Sequence, residues 1–357
     1  MKTNRYLRQI QLKEFGPEAQ RKLREASVLV VGAGGLGVPV LQYLNAMGVG
    51  RLGIVEQDLV EPTNLHRQLI YIENDLGQPK IKIAAAALSR QNGETHIVIH
   101  DTFLVKNNAL EIIGDYDLVV DASDNFATRY LVNDACVILK KPFVYGALHG
   151  FEGQLSVFNL NGGPTYRCAF PIMPSVLEVP NCAEHGVLGV LPGIIGSFQA
   201  LESVKIITGI GETLAGKLLL YNGLDCSMHK IDVPVRKKNL KIDSLAADYQ
   251  PLMCDPSVEI KSGTLYSLMK DQDPIQLIDI RSEEEYQMDH LPGSKNIPLD
   301  EIAIRNDELD SHLPVYLVCQ SGIRSLEAIH CLSKIKPELR LFHLVGGIDA
   351  FKTLAVD

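Results

Sequence analysis

The sequence predicts a doubly wound α/β fold with a mostly parallel sheet extended by antiparallel strands, followed by a second, small α/β domain. Three observations predict it. Through the first 150 residues, short and nearly all-apolar segments alternate with helical patterns, as in a parallel sheet covered on both faces. After Gly150 the pattern changes to apolar segments that read as antiparallel strands around a long apolar helix. Past residue 256 a fresh strand–helix series begins, after a stretch without periodicity.

In order, "SVLVVG" is a strand and a helix is expected over 36–48, then the strand "RLGIVE" and a helix over 80–91. "THIVIH", a helix near 107–113, "YDLVVDAS", a helix over 125–139 and "PFVYGAL" complete the alternating part. "GQLSVFN" and "GKLLLYNG" flank a buried helix near 193–209. Residues 233–256 gain Pro, Lys and Asp and read as a linker, in which the basic cluster "RKKNLK" is a solvated stretch. "IQLIDIR", "PVYLVC" and "RLFHLV" are the strands of the last part. The expected domains are therefore 1–232 and 257–357, joined by 233–256.

Composition narrows the function. Of 357 residues 46% are hydrophobic, ample for packed cores, yet no apolar run approaches the ~20 residues of a membrane span. The most apolar stretch is interrupted by Pro192, Gln199, Glu202 and Lys205. The N-terminal "MKTNRYLRQIQLKEF" lacks a signal-peptide hydrophobic region, and seven scattered cysteines suit a reducing compartment, so a cytoplasmic protein is expected. Net charge is −9, and residues 257–357 carry 10 basic against 17 acidic side chains. An acidic chain with no basic stripe and no tryptophan does not suit a nucleic-acid partner.

"VLVVGAGGLG" at 28–37 is a strand, a glycine turn and a helix start, which presents bare N–H groups and a positive helix end to a phosphate. That fingerprint serves nicotinamide-dependent oxidoreductases and ATP-binding enzymes alike. In the former, Glu56 at the end of the second strand would grip the ribose. The downstream residues favour the latter. Asp58, Asn64, Arg67 and Gln68 crowd the next loop, Lys80 starts a helix after "GQP", and Asp124 follows a strand in "VVDASDN". An arginine, a lysine and an aspartate at the strand ends suit a triphosphate with magnesium, the cations offsetting phosphate charge and the carboxylate holding the metal.

"RQIQL", "GAGGLG", "DLVEPTNLHRQ", "GQPK" and "DASDN" occur in the order and spacing of the MoeB/ThiF family, adenylyltransferases related to ubiquitin-activating enzymes, and residues 5 to about 232 resemble it. The resemblance implies a Rossmann-like homodimer that uses ATP to adenylate the C-terminal Gly-Gly of a small ubiquitin-fold sulfur carrier. Gly35 would then meet the nucleotide phosphates and Glu56 the ribose, where the family usually has aspartate. Asn64, Arg67 and Lys80 would hold the phosphates, Asp124 the magnesium, and Arg8 would reach the γ-phosphate in the neighbouring subunit. Members of the family commonly hold structural zinc with two Cys-x-x-Cys pairs. Here the first pair reads "TYRC", with Thr165 in place of a cysteine, and the second retains only Cys254, so no zinc is expected. Cys182, in "VPNCAEHGVLGV", resembles the cysteine of the family's crossover loop and is a candidate nucleophile, while Cys136, Cys226 and Cys331 are expected in the core.

In "LVCQSGIRS" at 317–325 a strand ends at Cys319, a loop follows, and Arg324 opens a helix. Successive loop N–H groups, the helix start and Arg324 favour the thiolate and mark Cys319 as a nucleophile. Phosphatases of related fold use a longer loop between cysteine and arginine, whereas here only Gln320, Ser321, Gly322 and Ile323 intervene. With "LIDIRSEEEYQMDHLPGSKNIPL" and "LVGGIDAF", residues 257–355 resemble rhodaneses, whose cysteine carries a persulfide. Asp279 and Arg281 would orient the loop. Together the halves imply carrier adenylation followed by sulfur transfer from Cys319, with a persulfide or thiosulfate as donor and Cys182 as the resolving thiol. A docking protein that has lost the chemistry is the alternative, since Glu56 and Thr165 depart from the family pattern.

Overall fold

A computed structural model describes residues 5–174, 186–246, 249, 259–271 and 273–354. These fall into two compact units, drawn from 5–173 with 186–249 and from 259–354 with residue 174.

The first unit is built on eight strands: β1 Ser27–Val31, β2 Arg51–Val55, β3 His96–His100, β4 Leu118–Asp121, β5 Phe143–His149, β6 Glu152–Phe158, β7 Lys217–Asn222 and β8 Met228–Asp232. Their order is β3-β2-β1-β4-β5-β6-β7-β8, parallel through β5 and antiparallel from there on. Successive strand residues face opposite ways. Val28 and Val30 accordingly join one core with Leu44, Ile195 and Ala200, while Leu29 and Val31 join the other with Tyr130, Ala135 and Cys136. Both faces are buried, which is why the parallel strands show no polar alternation. The helix Val190–Thr208 is long and apolar enough to cross a membrane by composition alone, but half of its 18-residue window is buried in this core.

Between β1 and β4 the connections leave in opposite directions, which opens a crevice at the strand ends. The glycine turn lies there. Gly32 has φ +99°, and a Cβ on Gly37 would sit 1.9 Å from the Gly32 carbonyl oxygen, so the turn closes this tightly only without side chains. Gly37–Met47 then starts without a side-chain cap, leaving its first N–H groups to a ligand.

Three details differ from the sequence reading. The edge strand β8 and the helix Gly16–Glu25 were not anticipated; β8 is exposed throughout and lacks a hydrophobic pattern. The stretch read as a linker is fastened to the first unit over its described part. Val233 and Tyr249 are buried, Arg236 donates its N–H to Cys168 Sγ (3.3 Å), and the Tyr249 hydroxyl donates to Asp134 (2.8 Å). Cys226, expected in the core, is exposed at φ +57° in the β7–β8 turn; Cys136 is buried and Cys331 half-buried.

The second unit is a five-stranded parallel sheet: β9 Glu259–Ile260, β10 Gln276–Asp279, β11 Lys295–Asn296, β12 Val315–Val318 and β13 Leu341–Leu344, ordered β11-β10-β12-β13-β9. The two-residue strands β9 and β11 are too short to carry a periodic signal. Cys319 directly follows the central strand β12, and the helix Ile323–Ile335 comes after it.

Candidate functional site

At the β1/β4 crevice the first unit holds a cavity of about 660 Å³. Gly35, Glu56, Asp58, Asn64, Arg67, Lys80 and Asp124 all line it. Each is placed by a local device. Glu56 is buried, and its carboxylate accepts from the N–H groups of Ala33 (3.0 Å), Gln57 (2.8 Å) and Asp58 (2.9 Å), tying the glycine turn to the end of β2. A carboxylate has about four acceptor sites, so one remains for a ribose hydroxyl. Asn64 closes the short helix Pro62–Asn64, its Oδ1 accepting from the Glu61 N–H. The Lys80 side chain is buried at the start of Lys80–Gln91 and its ammonium lies 3.2 Å from the Asp58 carboxylate. Arg67 packs beside Gly35 and donates to the Thr63 carbonyl at 2.6 Å.

Asp124 is exposed on the loop after β4, and the next residue, Asn125, caps the helix Phe126–Leu139 by accepting the Thr128 N–H at 2.9 Å. The carboxylate is thus free of the capping duty and open to a cation. Magnesium at such sites usually takes one or two protein carboxylates together with the substrate's phosphate oxygens and water. Arg8 is exposed on the short helix Leu7–Ile10 and is not among the lining residues. Sequence reasoning missed Arg129, a buried arginine that lines the same cavity from Phe126–Leu139. Its position in an otherwise apolar helical pattern was the available signal.

Among the described residues, the surroundings of Cys168 are those of a hydrogen-bonded thiol. Thr165 Oγ1 lies 3.5 Å from Cys168 Sγ, which also takes the Arg236 N–H and lies 3.8 Å from Asn239 Nδ2. These hydrogen bonds hold the Cys168 thiol below its ordinary range against the opposing effect of burial. Among the described residues no group of three or more His, Cys, Asp or Glu could hold a metal ion. Cys254 and Cys182 lie outside the described residues.

In the second unit Cys319 is buried, and its Sγ accepts the Gly322 N–H at 3.2 Å. The loop is held from beneath. Ile348 and Asp349 donate their N–H groups to the carbonyls of Cys319 (2.9 Å) and Gln320 (3.2 Å). The Gly346–Gly347 turn makes this approach possible: Gly347 has φ +62°, and a Cβ there would lie 2.4 Å from the Cys319 oxygen. Gly347→Ala is expected to cost about 2–5 kcal/mol, strain and overlap combined, and to lower the temperature at which sulfurtransferase activity is lost. Asp279 and Arg281 form a buried ion pair (2.8 Å), and Arg281 reaches Gln320 Oε1 at 2.9 Å, positioning the loop.

Arg324 differs from expectation. Its two terminal nitrogens fork onto the Glu285 carboxylate, each at 2.7 Å, rather than onto Cys319. The sequence shows Glu285 only as the last residue of the capping box Ser282–Glu285. The Arg324 hydrogen bonds hold the Glu285 carboxyl down to about 2. A carboxyl depressed in the folded state stabilises above its unfolded value, near 4.5, and that contribution is lost as pH falls toward 2. Glu285→Gln is therefore expected to flatten the acid limb of the stability curve between about pH 5 and 2. The pair is about one-third exposed, which limits the effect to about 1 kcal/mol.

The fold and sites define a class: a nucleotide-binding activating unit with a cavity at the sheet's switch point, joined to a parallel-sheet unit that cradles a cysteine. Residues 6–242 match the ThiF family and residues 262–354 the rhodanese-like domain. The chain belongs to the ThiF family and carries a C-terminal rhodanese-like domain. It is 42% identical over 376 residues to the adenylyltransferase and sulfurtransferase MOCS3 of Aedes aegypti, covering 97% of this chain and 86% of that protein. It is 55% identical over 235 residues to the sulfur carrier protein adenylyltransferase of Thermus thermophilus, covering 64% of this chain and 87% of that protein. Among solved structures, E. coli MccB with MccA-N7isoASN shares the fold, with a TM-score of 0.59, 21% identity, and coverage of 66% of this chain and 73% of that one.

Proposed function

We propose that this chain adenylates the C-terminal glycine of a small ubiquitin-fold sulfur carrier and then converts it to a thiocarboxylate. The observation that carries this reading is the combination, on one polypeptide, of a cavity lined by Gly35, Arg67, Lys80 and Asp124 with the cradled Cys319. The carrier carboxylate attacks the α-phosphorus of ATP and pyrophosphate leaves. Arg67 and Lys80 offset the phosphate charge, and Asp124 would hold the magnesium that accompanies ATP. The mixed anhydride is an electrophile, and alignment with the α-phosphate is the enzyme's main contribution.

The terminal sulfur of a Cys319 persulfide attacks the acyl carbonyl and AMP leaves, giving an acyl disulfide on Cys319. Thiolate attack by Cys182 on the Cys319 sulfur releases the thiocarboxylate and leaves a Cys182–Cys319 disulfide, which an external thiol reduces. A donor persulfide or thiosulfate recharges Cys319. The active form is a homodimer in which Arg8 reaches the partner's nucleotide, and its place is the cytoplasm, where free thiols stay reduced. Gly-Gly carriers of molybdopterin, thiamine or tRNA thiolation fit equally.

The test is the intact mass of a candidate Gly-Gly carrier after incubation with the chain, ATP–magnesium and thiosulfate. Replacement of one oxygen by sulfur is the expected gain. Pyrophosphate release without that gain would remove the sulfur-transfer half, and neither signal would leave a docking protein.

A further inference from the structure

The nucleotide cavity has a third cation that the roles above do not use. Arg129 is only 6% exposed, yet it lines the cavity together with Ser123, Thr128, Leu148 and Gly150. Its hydrogen bonding is sparse for a buried guanidinium. Nη2 donates to the Ser123 carbonyl at a long 3.3 Å, and Nε is buried with no partner among the described residues. The plane packs against two rings, with its centre 5.1 Å from that of Phe126 and 5.7 Å from that of Tyr145. Beside it Asp121 is fully buried; one carboxylate oxygen takes the Ser123 N–H and hydroxyl, and the other has no partner. Burial pushes the Asp121 carboxyl up, which weakens it as a counter-charge.

Burying a cation with idle donors is costly, and a hydrophobic residue would fill the space between Phe126 and Tyr145 as well. The guanidinium borders the cavity with one long hydrogen bond, which leaves donor capacity for an anion that arrives. The nucleotide phosphates already have Arg67 and Lys80, which stand with Gly35, Asp58 and Asn64 on the glycine-turn side. Arg129 belongs to the β4 side, where it contacts the Ser123 carbonyl and the Tyr145 ring of β5 and feels the charge of Asp124. Resting on the adenylation reading, the second anion in the reaction is the acyl substrate's own carboxylate, which must approach a triphosphate and the Asp124 charge.

We propose that Arg129 binds the attacking carboxylate of the carrier's C-terminus, holding it as a carboxylate against the cavity wall at the β4 side until it meets the α-phosphate. The aromatic packing fixes the guanidinium plane, so the recognised feature is the terminal carboxylate rather than the carrier's folded surface.

The test compares the carrier as its C-terminal acid and as its C-terminal amide, binding each to the full-length chain with a non-hydrolysable ATP analogue present. The wild-type chain is expected to prefer the acid by about ten- to a hundredfold, the range for a hydrogen bond to a charged group. Arg129→Gln is expected to bind both forms alike, Arg129→Lys to keep part of the preference, and both to bind the ATP analogue within about threefold of wild type. Retained preference in Arg129→Gln, or loss of nucleotide affinity with preference intact, overturns the proposal. Equal wild-type binding of acid and amide overturns it without any variant, which covers the case of variants that fail to fold. Binding of neither form removes the carrier reading and this role with it, whereas binding without preference removes this role alone.

Discussion

Cys319→Ala is expected to leave ATP–pyrophosphate exchange at the wild-type rate while thiocarboxylate formation falls on the order of 10⁴-fold or more. The scaffold under the loop does not depend on the thiol. The carbonyls of residues 319 and 320 are held by the N–H groups of Ile348 and Asp349, Gln320 is held by Arg281 and Asp349, and Arg281 is locked on buried Asp279. Alanine keeps all of these and removes the sulfur, which accepts the Gly322 N–H and lies 3.7 Å from the Ser325 hydroxyl. Cys319→Ser preserves a hydrogen-bonding group but cannot carry a sulfane sulfur, so the same loss is expected there, with unchanged thermal stability. Thiocarboxylate made at a substantial rate by either variant would mean that sulfur reaches the carrier without passing through Cys319.

The parallel strands were legible because both faces of the sheet are covered: Val28–Val31 read as an apolar run for the reason that two cores need alternate members of it. The strands β8, β9 and β11 were not, since one is exposed throughout and the others have two residues each. The fastening of 233–249 was hidden for a related reason. It depends on a sulfur, a backbone N–H and a tyrosine hydroxyl rather than on periodicity. In the site, Gly35, Glu56, Asn64, Arg67, Lys80 and Asp124 line the cavity whereas Arg8 does not, and the electrostatic partners of these residues were invisible. Lys80 faces Asp58 across 22 positions of sequence and Arg324 faces Glu285 across 39. Such pairings are set by tertiary packing, and neither member announces the other. Arg129, buried at 6% exposure, belongs to no motif, and its place in an apolar helical pattern is the one sign of it that the sequence carries.

Asp124 and Asn125 are neighbours in sequence whose substitutions are expected to act on opposite properties. Asp124→Ala should lower ATP–pyrophosphate exchange by about 10²–10³-fold, the range for removing one preorganised electrostatic group at a phosphoryl centre, and change stability by no more than about 0.5 kcal/mol. Its side chain is exposed and accepts a long 3.5 Å hydrogen bond from Asn125 Nδ2. Asn125→Ala removes the oxygen that accepts the Thr128 N–H at the start of Phe126–Leu139 and should cost about 1 kcal/mol of stability. Exchange measured against magnesium concentration separates the two further. A magnesium role requires that excess magnesium partly restore Asp124→Ala by raising the metal requirement rather than the ATP requirement. Full exchange by Asp124→Ala at ordinary magnesium would assign the metal to other oxygens, the candidates then being Asp58, released from Lys80, and the phosphates themselves.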